Sequence, residues 1–256
     1  MGFANNSTLF TSGNRVDVDN NGTNDSYDLA EGRANQIVIG ANNTGNDVFL
    51  NFGSRSTLIS HTKLFEGFET FGSNITIDLD RYNEISSRGK SAALPDLASS
   101  ELRFLGSKTG DDMFVYADAA TVRQLSTMFS SAKIVDSKVS NEKFNAAKGS
   151  YVFLFDTALG LNLGGDTISH FGADDRLVTT SEIYNGQDAD PSDRINFGKN
   201  KLLDLSGELP SSVGDVGAGH GGQVSLPGIG GLYLLATEIG SNGAEYYIYG
   251  SSPHVS

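Results

Sequence analysis

The residues best suited to chemistry lie together near the start of the chain, in Asp17-Val18-Asp19-Asn20-Asn21-Gly22-Thr23-Asn24-Asp25-Ser26-Tyr27-Asp28. Acids or amides stand at positions 1, 3, 5, 9 and 12 of this twelve-residue stretch: Asp17, Asp19, Asn21, Asp25 and Asp28. Gly22 falls at position 6, and Thr23 at position 7 offers a main-chain carbonyl. This is the spacing of a calcium loop. Ca²⁺ takes six to eight oxygens at about 2.3–2.6 Å, and short carboxylates on alternate residues of a tight loop can point at one centre. Asp17, Asp19, Asn21, Thr23, Asp25 and Asp28 are therefore the predicted ligands of one Ca²⁺. Position 12 is Asp and not the longer Glu, and Gly13 and Asn14 interrupt the preceding segment. The expected motif is a loop without the flanking helices of an EF-hand.

Other candidates carry less. The four histidines, His61, His170, His220 and His254, have no metal-ligand spacing with one another. The cluster Asp188-Ala189-Asp190-Pro191-Ser192-Asp193 is acidic but lacks a glycine at the hinge position. There is no Gly-x-Ser-x-Gly elbow, no His-Glu-x-x-His and no phosphate-cradling Gly-Lys-Ser/Thr loop. Carboxylates abound, so a glycosidase pair stays open. Tyr246, Tyr247 and Tyr249 are expected to be exposed and suited to stacking on sugar faces.

Composition bounds the elements that must position these residues. The chain has 256 residues, 31 acidic against 18 basic, a formal charge of −13, and neither Cys nor Trp. Disulfides, thiolate metal sites and a cysteine nucleophile are excluded. The charge argues against a nucleic-acid partner. No apolar run approaches the length of a membrane span. Asp outnumbers Glu by 21 to 10 and Gly occupies 31 positions, a composition of turns and short-armed oxygen ligands.

Short β-branched and aromatic runs bounded by Gly, Asn or Ser predict strands at 36–39, 47–52, 74–79, 102–105, 113–116, 151–155, 167–171, 176–179, 194–197 and 202–205. Three-and-four spacing of Val122, Leu125, Met128, Phe129 and Ala132 predicts an amphipathic helix over Asp118–Val135, with Asp118 as its N-cap. A shorter helix is expected over Asn141–Lys148, and residues 85–100 read as a loop or short helix. The Gly-rich stretch 206–231 reads as a long loop holding a short strand, and Asn242-Gly243 between apolar runs predicts a terminal hairpin. The fold class is mainly β: a stacked or roll-like β-solenoid or a β-sandwich, with one amphipathic helix and a C-terminal hairpin. It is read as one domain over 1–256 whose weakest boundary lies near residue 100. Thr44–Phe49 resembles Thr109–Phe114, and Gly164–Ile168 is a looser third copy.

Two segments carry a family resemblance. Thr109–Ala119 and Gly164–Val178 resemble pieces of the haemolysin-type calcium-binding (RTX) proteins, in which Gly-Asp turns lead into strands and a trailing Asp-Thr-Ile-x-x-Phe-x-x-x-Asp-x-Leu segment follows the roll. Here that segment is Asp166–Leu177; the tandem nonapeptide repeat is absent. The resemblance implies an exported bacterial protein, calcium-dependent folding and a C-terminal export signal. It also places Ile168, Phe171 and Leu177 in the core, with His170 facing the opposite way and Asp166 and Asp174 or Asp175 at turns.

The expected function is a secreted or cell-surface calcium-binding protein of structural or adhesive kind, with calcium stabilising the fold. Cell-surface polysaccharide or further copies of the chain are its expected partners. The first residues, MGFANNSTLF, do not read as a secretory signal peptide. The alternative is a polysaccharide-binding module or a polysaccharide-active enzyme.

Overall fold

In the computed structural model the described residues are 9, 13–18, 22–40, 45–71, 75–79, 90–108, 113–183, 194–197, 201–205 and 222–253. The strands before the helix are β1 (Asn14–Asp17), β2 (Ser26–Asp28), β3 (Asn35–Ile39), β4 (Asn46–Leu50), β5 (Ser56–Ser60), β6 (Phe68–Thr70), β7 (Thr76–Asp78), β8 (Ser91–Ala93), β9 (Glu101–Lys108) and β10 (Met113–Asp118). Helix α1 (Ala120–Met128) follows. After it come β11 (Lys133–Asp136), β12 (Lys143–Asn145), β13 (Tyr151–Phe155), β14 (Gly165–Ser169), β15 (Arg176–Thr179), β16 (Arg194–Asn196), β17 (Leu202–Asp204), β18 (Gln223–Ser225), β19 (Gly231–Ile239) and β20 (Glu245–Gly250).

The chain forms two compact units. The first is Ser12–Thr121; the second is Val122–Ser256 together with Met1–Thr11. In the first unit one sheet has the order β1-β3-β5-β10-β9-β6 and the other β2-β4-β8-β7. In the second the orders are β11-β13-β15-β20-β19-β16 and β12-β14-β18-β17. Each order of the second unit is that of the first with every strand ten places later. The two units are the same topology twice.

Within each unit the first strands of both sheets run parallel. Asn14, Asn35 and Ser56 stand in register on β1, β3 and β5, as Lys133 and Tyr151 do on β11 and β13. A chain that gives each coil one strand in each of two parallel ladders is a β-solenoid, here of about six turns. Antiparallel strands then close one end: β10, β9 and β6 in the first unit, β20, β19 and β16 in the second.

Polar and apolar ladders both follow from the parallel register, which stacks like positions of successive coils. The Asn35 amide donates to Ser56 Oγ at 3.3 Å and accepts from Asn14 Nδ2 at 3.3 Å, so a polar row running from exposed Asn14 to buried Asn35 and Ser56 satisfies itself along the stack. Ile37, Ile39, Phe49, Phe52, Leu58 and Tyr116 fill the core of the first unit. In the second, alternation on β13 divides the strand. Val152 and Leu154 pack with Val122 and Leu125 of α1, whereas Phe153 meets Phe144 and Phe171, with ring centroids 5.6 and 6.2 Å away.

The expected hairpin is present as β19 and β20, turning at Ser241–Gly243, and the strands at 151–155 and 176–179 keep their expected limits. The helix is shorter than the periodicity predicts: it ends at Met128, and Lys133–Asp136 is strand. Asp118 does cap it, accepting from Ala120 N at 2.7 Å. The second expected helix, 141–148, is instead the short strand β12, and residues 91–93 are the strand β8. Among the described residues no helix is long and apolar enough to cross a membrane.

Candidate metal loop and its counterpart

The predicted calcium loop joins β1 to β2, crossing from one sheet to the other in the first coil. Its flanks are strands, as the helix-free reading expects. Gly22 takes φ +79°, the left-handed bend that a side chain resists. Asp17, at the end of β1, is exposed and holds the Arg15 guanidinium at 2.7 Å. Asp25 accepts from Thr23 Oγ1 at 2.7 Å, and its own N–H donates to Asp47 Oδ1 at 3.1 Å. Asp28, exposed on β2, accepts from Asn51 Nδ2 at 2.7 Å. Asp19 and Asn21 lie outside the described residues. Among the described residues no group of three or more His, Asp or Glu is arranged to hold a metal ion.

The repeated topology supplies a counterpart to this loop in Asp136–Asn145, which joins β11 to β12. The correspondence is set by hydrogen bonds. Val18 N donates to Val38 O at 3.0 Å, and Ser137 N to Leu154 O at 2.9 Å. Asn24 Oδ1 accepts from Asn46 N at 2.9 Å, and Asn141 Oδ1 from Gly165 N at 2.8 Å. Asp47 Oδ1 accepts from Asp25 N, and Asp166 Oδ1 from Glu142 N at 2.7 Å. Finally Asn51 bonds Asp28, and His170 Nδ1 bonds Asn145 Oδ1 at 3.1 Å. The two corners are built to one plan.

Their charges differ. Residues 17–28 contain four Asp and no basic residue; residues 136–145 contain Asp136 and Glu142 balanced by Lys138 and Lys143. Lys138 is two residues after Asp136, as Asp19 is two after Asp17. Its Nζ lies 3.0 Å from Asp136 Oδ2, and its N–H donates to Glu142 Oε2 at 2.9 Å. Each corner has a basic side chain against its first Asp, Arg15 on Asp17 and Lys138 on Asp136, but only in the second does that cation come from within the loop.

Asp47 and Asp166, each 2% exposed, are the residues that pin these corners, and the calcium-loop pattern gave no sign of them. The signal available was the paired Gly-x-Asp at Gly45–Asp47 and Gly164–Asp166. Burial pushes the Asp166 carboxyl up to about 7, against the hydrogen bonds from Ser137 Oγ and Glu142 N that favour its charged form, and the Glu142 charge adds to the rise. Glu142 is raised as well, chiefly by burial, with the bond from Lys138 N and the Lys138 charge opposing.

The segment 166–177 is packed much as expected. Ile168, Phe171 and Leu177 are buried and His170 is exposed. Asp175 caps the turn before β15, accepting from Gly172 N and Tyr151 N, whereas Asp166 lies within β14 and not at a turn. The tyrosines do not form a sugar-stacking face: Tyr246 and Tyr249 are buried and only Tyr247 is partly exposed, because the inward faces of β20 fill the core. The Tyr249 hydroxyl accepts from Ile183 N at 3.0 Å, and burial pushes its pKa up to about 12. His61 is partly buried; His220, His254 and the Asp188–Asp193 cluster lie outside the described residues. Comparison with family models, with curated proteins and with solved structures finds no match.

Proposed function

We propose that this protein is a calcium-binding structural or adhesive β-solenoid, exported to the cell surface or its surroundings, and that Ca²⁺ sits in the Asp17–Asp28 loop. The observation that carries this reading is the contrast between the two corners. In the second, the Lys138 ammonium lies against Asp136 and beside Glu142. In the first, the matching stretch has four carboxylates and Asp19 in place of the lysine. Arg15 pairs with Asp17 as Lys138 does with Asp136, and a divalent cation would answer the carboxylates of Asp19, Asp25 and Asp28 that remain in the first loop. The left-handed Gly22 supplies the bend that position 6 of a calcium loop requires.

Export is supported by the acidic, cysteine-free composition and by the burial of Ile168, Phe171 and Leu177, which the RTX resemblance implies. Stacked parallel coils present regular faces, which suits a structural or adhesive part. Isothermal calorimetry with CaCl₂ tests the reading. The wild-type chain should take up calcium, and the Asp17→Ala, Asp19→Ala variant should lose one equivalent. No uptake by the wild type at millimolar calcium would refute it.

A further inference from the structure

Each unit begins with a coil that has a neighbouring coil on one side. β1 and β2 end their sheets and pair with β3 and β4; β11 and β12 end theirs and pair with β13 and β14. Among the described strands none lies outside these four. A strand at the edge of a sheet offers its backbone N–H and C=O groups to another chain. The core is also incompletely covered at these edges: Val16 and Tyr27 pack on the first core and stay partly exposed, as Phe144 does against Phe153 in the second unit. The two edges have one form, a strand of four residues and then one of three, but opposite charge. The described residues of 14–34 include Asp17, Asp25, Asp28 and Glu31 against Arg15 and Arg33. Residues 133–150 hold Lys133, Lys138, Lys143 and Lys148 against Asp136 and Glu142, a basic stretch in a chain whose formal charge is −13. The exposed charges of that second edge are Lys133, Lys143 and Lys148; those of the first are Asp17, Asp28 and Glu31, with Arg33.

We propose that the basic first-coil edge of the second unit docks on the acidic first-coil edge of the first unit in another copy of this chain. Charge selects the partner. Acidic edge against acidic edge and basic against basic both repel, so the favourable pairing joins unlike edges. Strand edges of matched length can extend one another's sheets, with the partly exposed Val16, Tyr27 and Phe144 at the centre and the charges at the rim. The contact uses two different surfaces of the chain, so copies either close as a reciprocal pair or run on in a row. The inference rests on the structural or adhesive reading and needs no calcium. Ca²⁺ in the Asp17–Asp28 loop and lysines of a second copy would compete for Asp25 and Asp28.

Sedimentation of the full chain in chelator tests this, so that the calcium reading stands or falls by calorimetry alone. The wild type should associate at about 0.1 M salt and come apart at about 1 M, where screening reaches about 3 Å. One variant, Lys133→Glu with Lys143→Glu, makes both edges acidic; another, Asp28→Lys with Glu31→Lys, makes both basic. Each alone should be monomeric, and an equimolar mixture of the two should associate again, which neither could do unfolded. The neutral variant Lys133→Gln with Lys143→Gln should weaken wild-type association by about tenfold or more. A wild type that stays monomeric at every concentration overturns the proposal. So do charge-reversed variants that associate as the wild type does, or a mixture that fails to associate. A monomeric wild type that binds polygalacturonate through Lys133 and Lys143 would also overturn it, by assigning the basic edge to an acidic polysaccharide.

Discussion

Asn51 and His170 stand 119 residues apart and share the left-handed φ, +61° in each, in the residue directly after its strand. Each follows β4 or β14, and each uses its side chain to clasp the end of the preceding coil, Asp28 in one case and Asn145 in the other. The same offset relates Asp47 to Asp166, Phe52 to Phe171 and Leu64 to Ile183, whose N–H groups donate to the hydroxyls of Tyr116 and Tyr249. Correspondence of this detail makes each unit a control for the other.

The left-handed clasp is directly testable. Asn tolerates positive φ, and its amide can donate to Asn145 as Asn51 donates to Asp28, so His170→Asn should leave stability nearly unchanged. His170→Val puts a β-branched residue in that conformation and removes the donor, and should cost about 1–3 kcal/mol in urea denaturation. Equal midpoints for the two variants would show that the clasp contributes nothing.

The Asp166 corner gives the fold a pH dependence of known sign. The folded-state pKa is raised from 3.8 to about 7, so the folded chain holds this proton more tightly than the unfolded chain. The favourable contribution is fully present below about pH 4 and is lost as pH rises to about 7. A shift of about three units corresponds to up to roughly 4 kcal/mol, to order of magnitude. Asp166→Asn keeps an acceptor for Glu142 N and cannot ionise. Its stability should vary less than the wild type's between pH 4.5 and 8, and it should be the more stable of the two above pH 7. Parallel pH profiles from thermal melts would remove Asp166 as the cause. Glu142 is raised too and leaves a smaller slope of the same sign in the variant.

Much of the strand content was legible because short apolar runs between Gly and Asn are a local signal. The errors share a cause in packing. Apolar spacing over 122–135 reads as one helix, but Ala132, in the bend after α1, and Ile134, in strand β11, face the same core as Val122 and Leu125. Periodicity reports which residues are buried, not which backbone buries them. The solenoid repeat was hidden by unequal coils. The step from β1 to β3 and from β3 to β5 is 21 residues, but Gly165 pairs with Gln223, 58 residues on. In sequence Thr44–Phe49 resembles Thr109–Phe114 more closely, although the structural counterpart of Gly45–Phe49 is Gly164–Ile168. Of the calcium loop, the bend at Gly22 and the strand flanks were legible, whereas the partners Asp47 and Asn51 arrive from the next coil and have no local signature.

Phe171 should be a determinant of the second unit's core. It is 4% exposed and packs on Phe153. Phe171→Ala should cost about 3–5 kcal/mol. The neighbouring position offers the contrast, since exposed His170 accepts Asn without such a loss. A cost below 1 kcal/mol by chemical denaturation would mean that the segment Asp166–Leu177 is not a core element.

The two corners should respond differently to calcium. Ca²⁺ bound only by the folded chain stabilises it by mass action, about 2.7 kcal/mol at a hundredfold excess over the dissociation constant. The wild-type melting temperature should therefore rise with calcium and fall in chelator. The Asp17→Ala, Asp19→Ala variant should melt at one temperature in both. The second corner has its cation covalently attached. Lys138→Ala leaves Asp136, only about a tenth exposed, without that ammonium. The pair is partly solvated on the lysine side, so the cost is modest, up to about 1 kcal/mol. That cost should be the same with calcium as with chelator, and the calcium response of the first corner should persist in the variant. Arg15 already holds Asp17, so a wild type that melts identically in the two conditions would leave no role for calcium at the other carboxylates of the loop, and the calcium reading would fall with it.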